Sequence, residues 1–140
     1  MMLRGNPVFH HFGLAVRDPE AALHQLSAFG YTGHPPVYDE LQKVHLILCR
    51  SEVMPDVEII YAGDESGPLD SILKHGETQI YHTCYEVDDL EETLAGWEDR
   101  KVKFRCVAPP KPAVLFGGRK VSFYYLPGFG LVELLEPDEC

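Results

Sequence analysis

Residues 11–23, HFGLAVRDPEAAL, and residues 82–94, HTCYEVDDLEETL, follow one pattern. The coincident positions are His11/His82, Val16/Val87, Asp18/Asp89, Glu20/Glu91 and Leu23/Leu94, all separated by 82 − 11 = 71 residues. A second echo comes later in each copy: VEII at 57–60 answers VELL at 132–135 and sets Glu58 opposite Glu133. Here the offset is 133 − 58 = 75, so the second copy is longer by 75 − 71 = 4 residues, which fall in the loop around KPAVLFGG. A chain that repeats itself in this way is constrained to fold as two like units.

Each copy has the same internal order. Alternation of apolar and polar residues from Phe9 to Arg17 predicts a half-buried strand. On it His11, Gly13, Ala15 and Arg17 point one way and Phe12, Leu14 and Val16 the other. Asp18-Pro19 supplies an N-cap followed by proline at the first helical position, and a helix carrying Ala21, Ala22, Leu23, Leu26 and Phe29 runs to a stop at Gly30. Strands are expected at about 31–38, 44–49 and 56–62. In the second copy a strand at about 79–87 leads to a helix capped by Asp89, with Glu91 and Glu92 where the macrodipole favours them and Leu94 and Trp97 on one face. Strands at 101–108, 120–127 and 130–136 follow. Each half therefore reads βαβββ, an α+β plan within a single 140-residue domain: module 1 at about 8–62, a linker at 63–78 with a short helix from Pro68 to His75, and module 2 at about 79–136.

Composition narrows the partners. Twelve Lys and Arg against 22 Asp and Glu give a net charge of −10, which repels nucleic acid and anionic membranes alike. Lys74, Lys111, Arg119 and Lys120 remain available for a small anionic ligand. No apolar run approaches the roughly 20 residues needed to span a bilayer, and MMLRGNPVFHH has no signal-like stretch, so a cytoplasmic location is expected. Cys49, Cys84, Cys106 and Cys140 form no CxxC pair and are expected to be buried free thiols.

Strand polarity gives the recurring His and Glu a chemical meaning. His11 and His82 face away from the residues suited to packing beneath their helices. Glu58 shares its face with Asp56 and Ile60, and Glu133 shares its face with Leu131 and Leu135. A carboxylate between apolar neighbours is costly to bury without a partner. If the halves are related by a pseudo-twofold axis, two imidazoles and two carboxylates meet, a donor set suited to one divalent ion per chain: Zn, Ni, Co, Mn or Fe. The metal candidates are thus His11, Glu58, His82 and Glu133. His10, His24, His34 and His75 are expected to lie outside the site, and His45 either to line it or not.

These segments resemble the vicinal oxygen chelate superfamily (glyoxalase, bleomycin resistance, dioxygenase), and within it the methylmalonyl-CoA epimerase-like branch. HHFGLAVRDPEAAL looks like that branch's opening strand and helix, SGPLDSILKHGETQIYHTCYEVDDLEETL like its central segment, and GGRKVSFYYLP and GLVELLE like its closing strands. The resemblance implies two paired βαβββ modules forming a cup-shaped mixed sheet around a central cavity. It also implies metal ligands from the first and last strand of each module, which are the same four residues. It further implies a metal-dependent isomerase, epimerase or lyase that forms an enolate of a small acyl thioester or α-oxo substrate, in a homodimer. A base is expected just before the third strand, in YDELQKVHL, where Glu40 is the candidate and Asp39 competes; Glu133 is the alternative base. The branch's usual glycine before that strand is Lys43 here. An Fe(II) extradiol dioxygenase and a non-catalytic small-molecule binding or resistance protein, its aromatics drawn from Trp97, Phe116, Phe123, Tyr124 and Tyr125, are the rival functions.

Overall fold

The computed structural model describes residues 6–63, 67–74, 76 and 78–138. Ser66, His75 and Cys140 lie outside the described residues. Among those described, nine strands, three α-helices and one 3-10 turn (Val114–Phe116) form two compact units. One runs from His11 to Tyr81, and the other joins the described residues up to His10 to those from His82 onward.

In the His11–Tyr81 unit, β1 (Val8–Val16) pairs in parallel with β5 (Asp56–Ala62), and β5 pairs antiparallel with β4 (Val44–Arg50). Two short strands, β2 (Thr32–Gly33) and β3 (Val37–Asp39), pair with β4 in turn. One strand was expected over 31–38. Pro35 and Pro36 have no N–H to give a ladder and split it into two. Between β1 and β2, α1 (Pro19–Ser27) starts where expected: the Asp18 carboxylate accepts from Ala21 N at 3.1 Å. The helix ends sooner than predicted, and Phe29 is 67% exposed rather than packed. Gly30, at φ +88°, supplies the left-handed residue that reverses the chain. Ala22, Leu23 and Leu26 cover Phe12, Leu14 and Val16 on one face of the sheet, together with Ile47, Cys49, Val57 and Ile59. The short α2 (Pro68–Ile72) is anchored by Arg17, whose guanidinium donates to Leu73 O at 2.6 Å.

The second unit repeats this arrangement. Strand β6 (Thr78–Glu86), which supplies it from His82 onward, pairs in parallel with β9 (Gly130–Leu135); β9 pairs antiparallel with β8 (Lys120–Leu126), and β8 with β7 (Arg105–Pro112). Helix α3 (Leu90–Asp99) is capped by Asp89, which accepts from Glu92 N at 3.1 Å, the counterpart of the Asp18 cap. It packs Leu94 and Trp97 on Val87, Tyr124, Val132 and Leu134. Trp97, Phe104 and Tyr124 meet edge to face with centroids 5.3–6.1 Å apart. Strand β7 begins at Arg105 and not at 101, because Lys101 takes a left-handed conformation (φ +59°) after the helix. It then continues through Pro109 and Pro110, with register shifts at Cys106/Ala108 and Ala108/Lys111. Proline is tolerated there because β7 pairs on one side only in its unit.

Lys43 lies in the turn between β3 and β4 at φ +57°. Its N–H donates to Asp39 O at 2.7 Å, and the Asp39 carboxylate accepts from Leu41 N and Gln42 N at 2.9 and 3.1 Å. The turn therefore requires a left-handed residue where the resembled branch carries glycine. A side chain there costs about 1 kcal/mol. Lys43→Gly is expected to leave the fold intact and to raise unfolding stability by a few tenths to about 1 kcal/mol, as read from the denaturation midpoint at unchanged slope.

Three described cysteines form no disulfide: Cys49 and Cys84 are buried as expected, and Cys106 is exposed on the outer strand β7, contrary to expectation. Burial pushes the Cys49 thiol up to about 11. A thiol reagent at pH 8 is expected to label Cys106 and to spare Cys49 and Cys84 until the chain is unfolded. Since the folded Cys49 holds its proton more tightly than the unfolded one, its contribution to stability is complete below about pH 9 and is lost as pH rises toward 11.

Candidate metal centre

Each unit buries one histidine and one glutamate together, and the sheet register explains how. In the first, Gly13 of β1 stands beside Glu58 of β5, and Leu48 of β4 stands on Glu58's other side. In the second, Cys84 of β6 stands beside Glu133 of β9, and Phe123 of β8 lies on its other side. These positions differ by 84 − 13 = 71, 133 − 58 = 75 and 123 − 48 = 75. The offsets of the sequence repeat are thus those of the hydrogen-bonded frame. His11 lies two residues before Gly13, and His82 two before Cys84, so each imidazole shares a face with its carboxylate.

That face is opposite the helices. In the first unit the helix-side core takes Val57 and Ile59, which leaves Glu58 and Ile60 on the other surface with Leu46 and Leu48. In the second, Val132 and Leu134 go under α3, and Glu133 and Leu135 face away with Cys84, Val121 and Phe123.

His11 Nε2 is 3.8 Å from Glu58 Oε1, and His82 Nε2 is 3.1 Å from Glu133 Oε1. All four side chains are buried: His11 is 0% exposed, Glu58 4%, His82 3% and Glu133 3%. Phe123 meets the His82 ring edge to face, centroids 5.3 Å apart at 84°. A carboxylate removed from water to this extent is costly without a partner, and in each unit an imidazole stands beside it. One imidazole nitrogen and one carboxylate oxygen per unit are ligand types that suit borderline divalent metals, so each half fits a metal ion chemically.

The remaining candidates are placed as follows. His45 is on the helix side of β4, with Tyr38 and Tyr61 rings at 4.8 Å on either side; it therefore does not share Glu58's face. His10 packs edge to face on Phe116 at 5.2 Å, while His24 and His34 are exposed. Asp39 is buried and shares Glu58's face through its register with Val44, but its carboxylate serves the β3–β4 turn. Glu40, next to it, is exposed in that turn. The basic residues near GGRK form no anion cradle: Arg119 is paired with Glu86 at 2.8 Å, and the cavity of about 340 Å³ beside it has Glu136 and Asp138 alongside Lys120. Of the aromatics, Trp97 and Tyr124 are core beneath α3, Phe116 and Phe123 lie on the His82 side, and Tyr125 is 42% exposed with the Arg105 guanidinium 5.7 Å from its ring. Phe123 as a neighbour of His82 had escaped notice in the sequence, although the 75-residue offset that relates Glu58 to Glu133 would have pointed to it as the counterpart of Leu48.

Among solved structures, methylmalonyl-CoA epimerase from Mycobacterium tuberculosis is similar over 99% of this chain and 94% of its own, at 20% identity and a TM-score of 0.79. A hypothetical protein from Bacillus halodurans C-125 is similar over 96% and 97%, at 20% identity and a TM-score of 0.79. Streptomyces coelicolor methylmalonyl-CoA epimerase in complex with 2-nitronate-propionyl-CoA is similar over 96% and 100%, at 17% identity and 0.77. These likenesses establish the fold, and it is the α+β paired-module fold expected from the repeat. No curated protein matches the chain. A model of the glyoxalase/bleomycin resistance protein/dioxygenase superfamily matches residues 10–123, and with well over half of its length so matched the chain belongs to that superfamily.

Proposed function

We propose that His11, Glu58, His82 and Glu133 together hold one divalent cation, and that the protein is an isomerase or epimerase, or a lyase, acting through the enolate of a small acyl thioester or α-oxo compound. The observation that carries this reading is the pair of buried His/Glu couples at matching register, one per unit. A protein gains little from burying two carboxylates for stability alone, since well-packed apolar residues of similar size serve as well or better. Doing so twice, at the same frame position, favours a ligand that both pairs share. A fourth, anionic ligand in Glu58 crowds the open positions that an extradiol dioxygenase needs, and retention of all four donors speaks against a purely apolar binding pocket.

The solved relatives support the substrate class. The Streptomyces coelicolor protein is in complex with 2-nitronate-propionyl-CoA, and another methylmalonyl-CoA epimerase is in complex with methylmalonyl-CoA. A divalent ion bound here would supply Lewis-acid stabilisation to oxygen charge developing on such a substrate. The chain itself must take the proton. In the proposed reaction the carbon next to the carbonyl gives its proton to the Glu133 carboxylate, the C–H electron pair becomes the enolate, and the proton returns to carbon. Glu133 is preferred to Glu40 because it is buried beside His82 on the face proposed for the substrate, whereas Glu40 is exposed in the β3–β4 turn. A homodimer in the cytoplasm completes the proposal, the dimer to be read by sedimentation.

Elemental analysis of the purified protein is expected to find one divalent ion per chain. His82→Ala is expected to lose it while circular dichroism and the unfolding transition persist; full metal content in that variant overturns the site. With substrate in deuterium oxide, Glu133→Gln is expected to slow deuterium incorporation on the order of 10²–10⁴-fold. Glu40→Gln is expected to stay within about threefold of the parent, and the reverse order moves the base to Glu40.

A further inference from the structure

The frame that positions Glu58 also places a charged pair in the row beside His11. In parallel register, Asp56 of β5 is the direct neighbour of His11, and its side chain shares the face of His11 and Glu58. On the other side of β5, Leu48 stands opposite Glu58 and Cys49 opposite Val57, so the next residue of β4, Arg50, comes opposite Asp56 on that same face. The ion pair agrees with this: Arg50 Nε is 3.6 Å from Asp56 Oδ2. The row therefore reads imidazole, carboxylate, guanidinium across three adjacent strands. Asp56 has a side chain 23% exposed and Arg50 one that is 59% exposed, so the row runs from the buried His11 out to water.

The duplicated half lacks this feature. The counterparts, at 56 + 75 = 131 and 50 + 75 = 125, are Leu131 and Tyr125, which pair in the same register. Two frames alike in strand order, caps and His/Glu couples thus differ in the row next to the imidazole: charged in one, apolar and aromatic in the other. A structural salt bridge would be equally useful in both. In the second half the nearest guanidinium, Arg105, stands one strand farther out, opposite Tyr125 and 5.7 Å from its ring, with no carboxylate between it and the imidazole; rows this unlike suit a ligand with unlike ends.

We propose that Arg50 is a specificity-determining residue that receives an anionic group of the substrate, a carboxylate or a phosphate. Asp56 holds the Nε edge of the guanidinium, and the two terminal nitrogens then form the planar fork that suits an oxyanion with two oxygens. In a chain of net charge −10, a negative substrate needs such a local cation to offset the repulsion of the whole surface. The inference rests on the His/Glu face being the substrate face, as proposed above.

Calorimetric titration of the wild type and of Arg50→Met, both metal-free and cobalt-reconstituted, tests it with three probes: malonyl-CoA, propionyl-CoA and the malonyl thioester of pantetheine. Arg50→Met is expected to weaken malonyl-CoA binding by about 10- to 100-fold. Arg50→Lys should restore part of the loss, and raising the salt concentration should narrow the gap. If the acyl carboxylate is the group recognised, malonyl-pantetheine weakens and propionyl-CoA does not. If a phosphate is recognised, propionyl-CoA weakens and malonyl-pantetheine does not; either result supports the proposal. Binding of all three probes within twofold of wild type, or no binding of any probe by the wild type, overturns it. Cobalt content is read separately from the visible absorption of each sample, so that failure of the metal reading is told apart from failure of the Arg50 assignment.

Discussion

The constraint on which the rest depends is the parallel pairing of the first strand of each module with its last. That pairing places Gly13 beside Glu58 and Cys84 beside Glu133, and so brings each histidine within reach of its carboxylate. Parallel neighbours cannot be joined by a tight turn. The intervening helix and two or three strands are what the connection consists of, and they then shield the other face. Helices α1 and α3 pack on that other face, under caps set by Asp18 and Asp89, which leaves each imidazole with its own carboxylate on the opposite face of its unit. Site and fold are thus fixed by the same alternation: shifting either pairing by one residue would send the glutamate under the helix.

Much of this could be read directly from the chain. The helices, their caps and most strand centres followed from period and from punctuation by Asp, Pro and Gly. The polarity of β1 followed as well, because Phe12, Leu14 and Val16 do pack beneath α1. Where the sequence misled, local backbone chemistry explains it. Pro35-Pro36 divides an expected strand, and Lys101 and Lys43 adopt left-handed conformations that a lysine does not advertise. Phe29 looked like core by helical spacing, but Gly30 ends the helix before that turn can close over the sheet. His45 had no legible direction, since its parity depends on the register of β4 with β5. Once that register is known, its place between two tyrosines follows.

The β3–β4 turn shows how a sequence departure can be absorbed. Lys43 replaces the glycine usual in the resembled branch, yet the turn keeps the conformation that glycine would make easy. Its strain is offset by the hydrogen bonds of Asp39, which accepts through both its carboxylate and its carbonyl. This commits Asp39 to architecture. Its carboxylate oxygens are already taken up by two backbone amides and the Gln42 side chain, so their place is in the turn. The departure at Lys43 therefore bears on the turn and leaves the His/Glu couples untouched.

Duplication explains the symmetric part of the chemistry, and its breakdown explains the rest. A repeated frame yields two equivalent His/Glu couples, which can serve a symmetric object such as a cation. A substrate of the kind proposed is not symmetric, and the residues around each couple do differ. Four registered positions that differ are Gly13 against Cys84, Leu48 against Phe123, Asp56 against Leu131 and Arg50 against Tyr125. One half surrounds its couple with a bare backbone, an aliphatic side chain and charges; the other with a thiol and aromatic rings, one of them set edge-on against His82. The couples also differ in separation, 3.1 Å for His82 and Glu133 against 3.8 Å for His11 and Glu58. Under the function proposed above, direction on the substrate lies in the departures from the repeat, and the residues that keep to it hold charge.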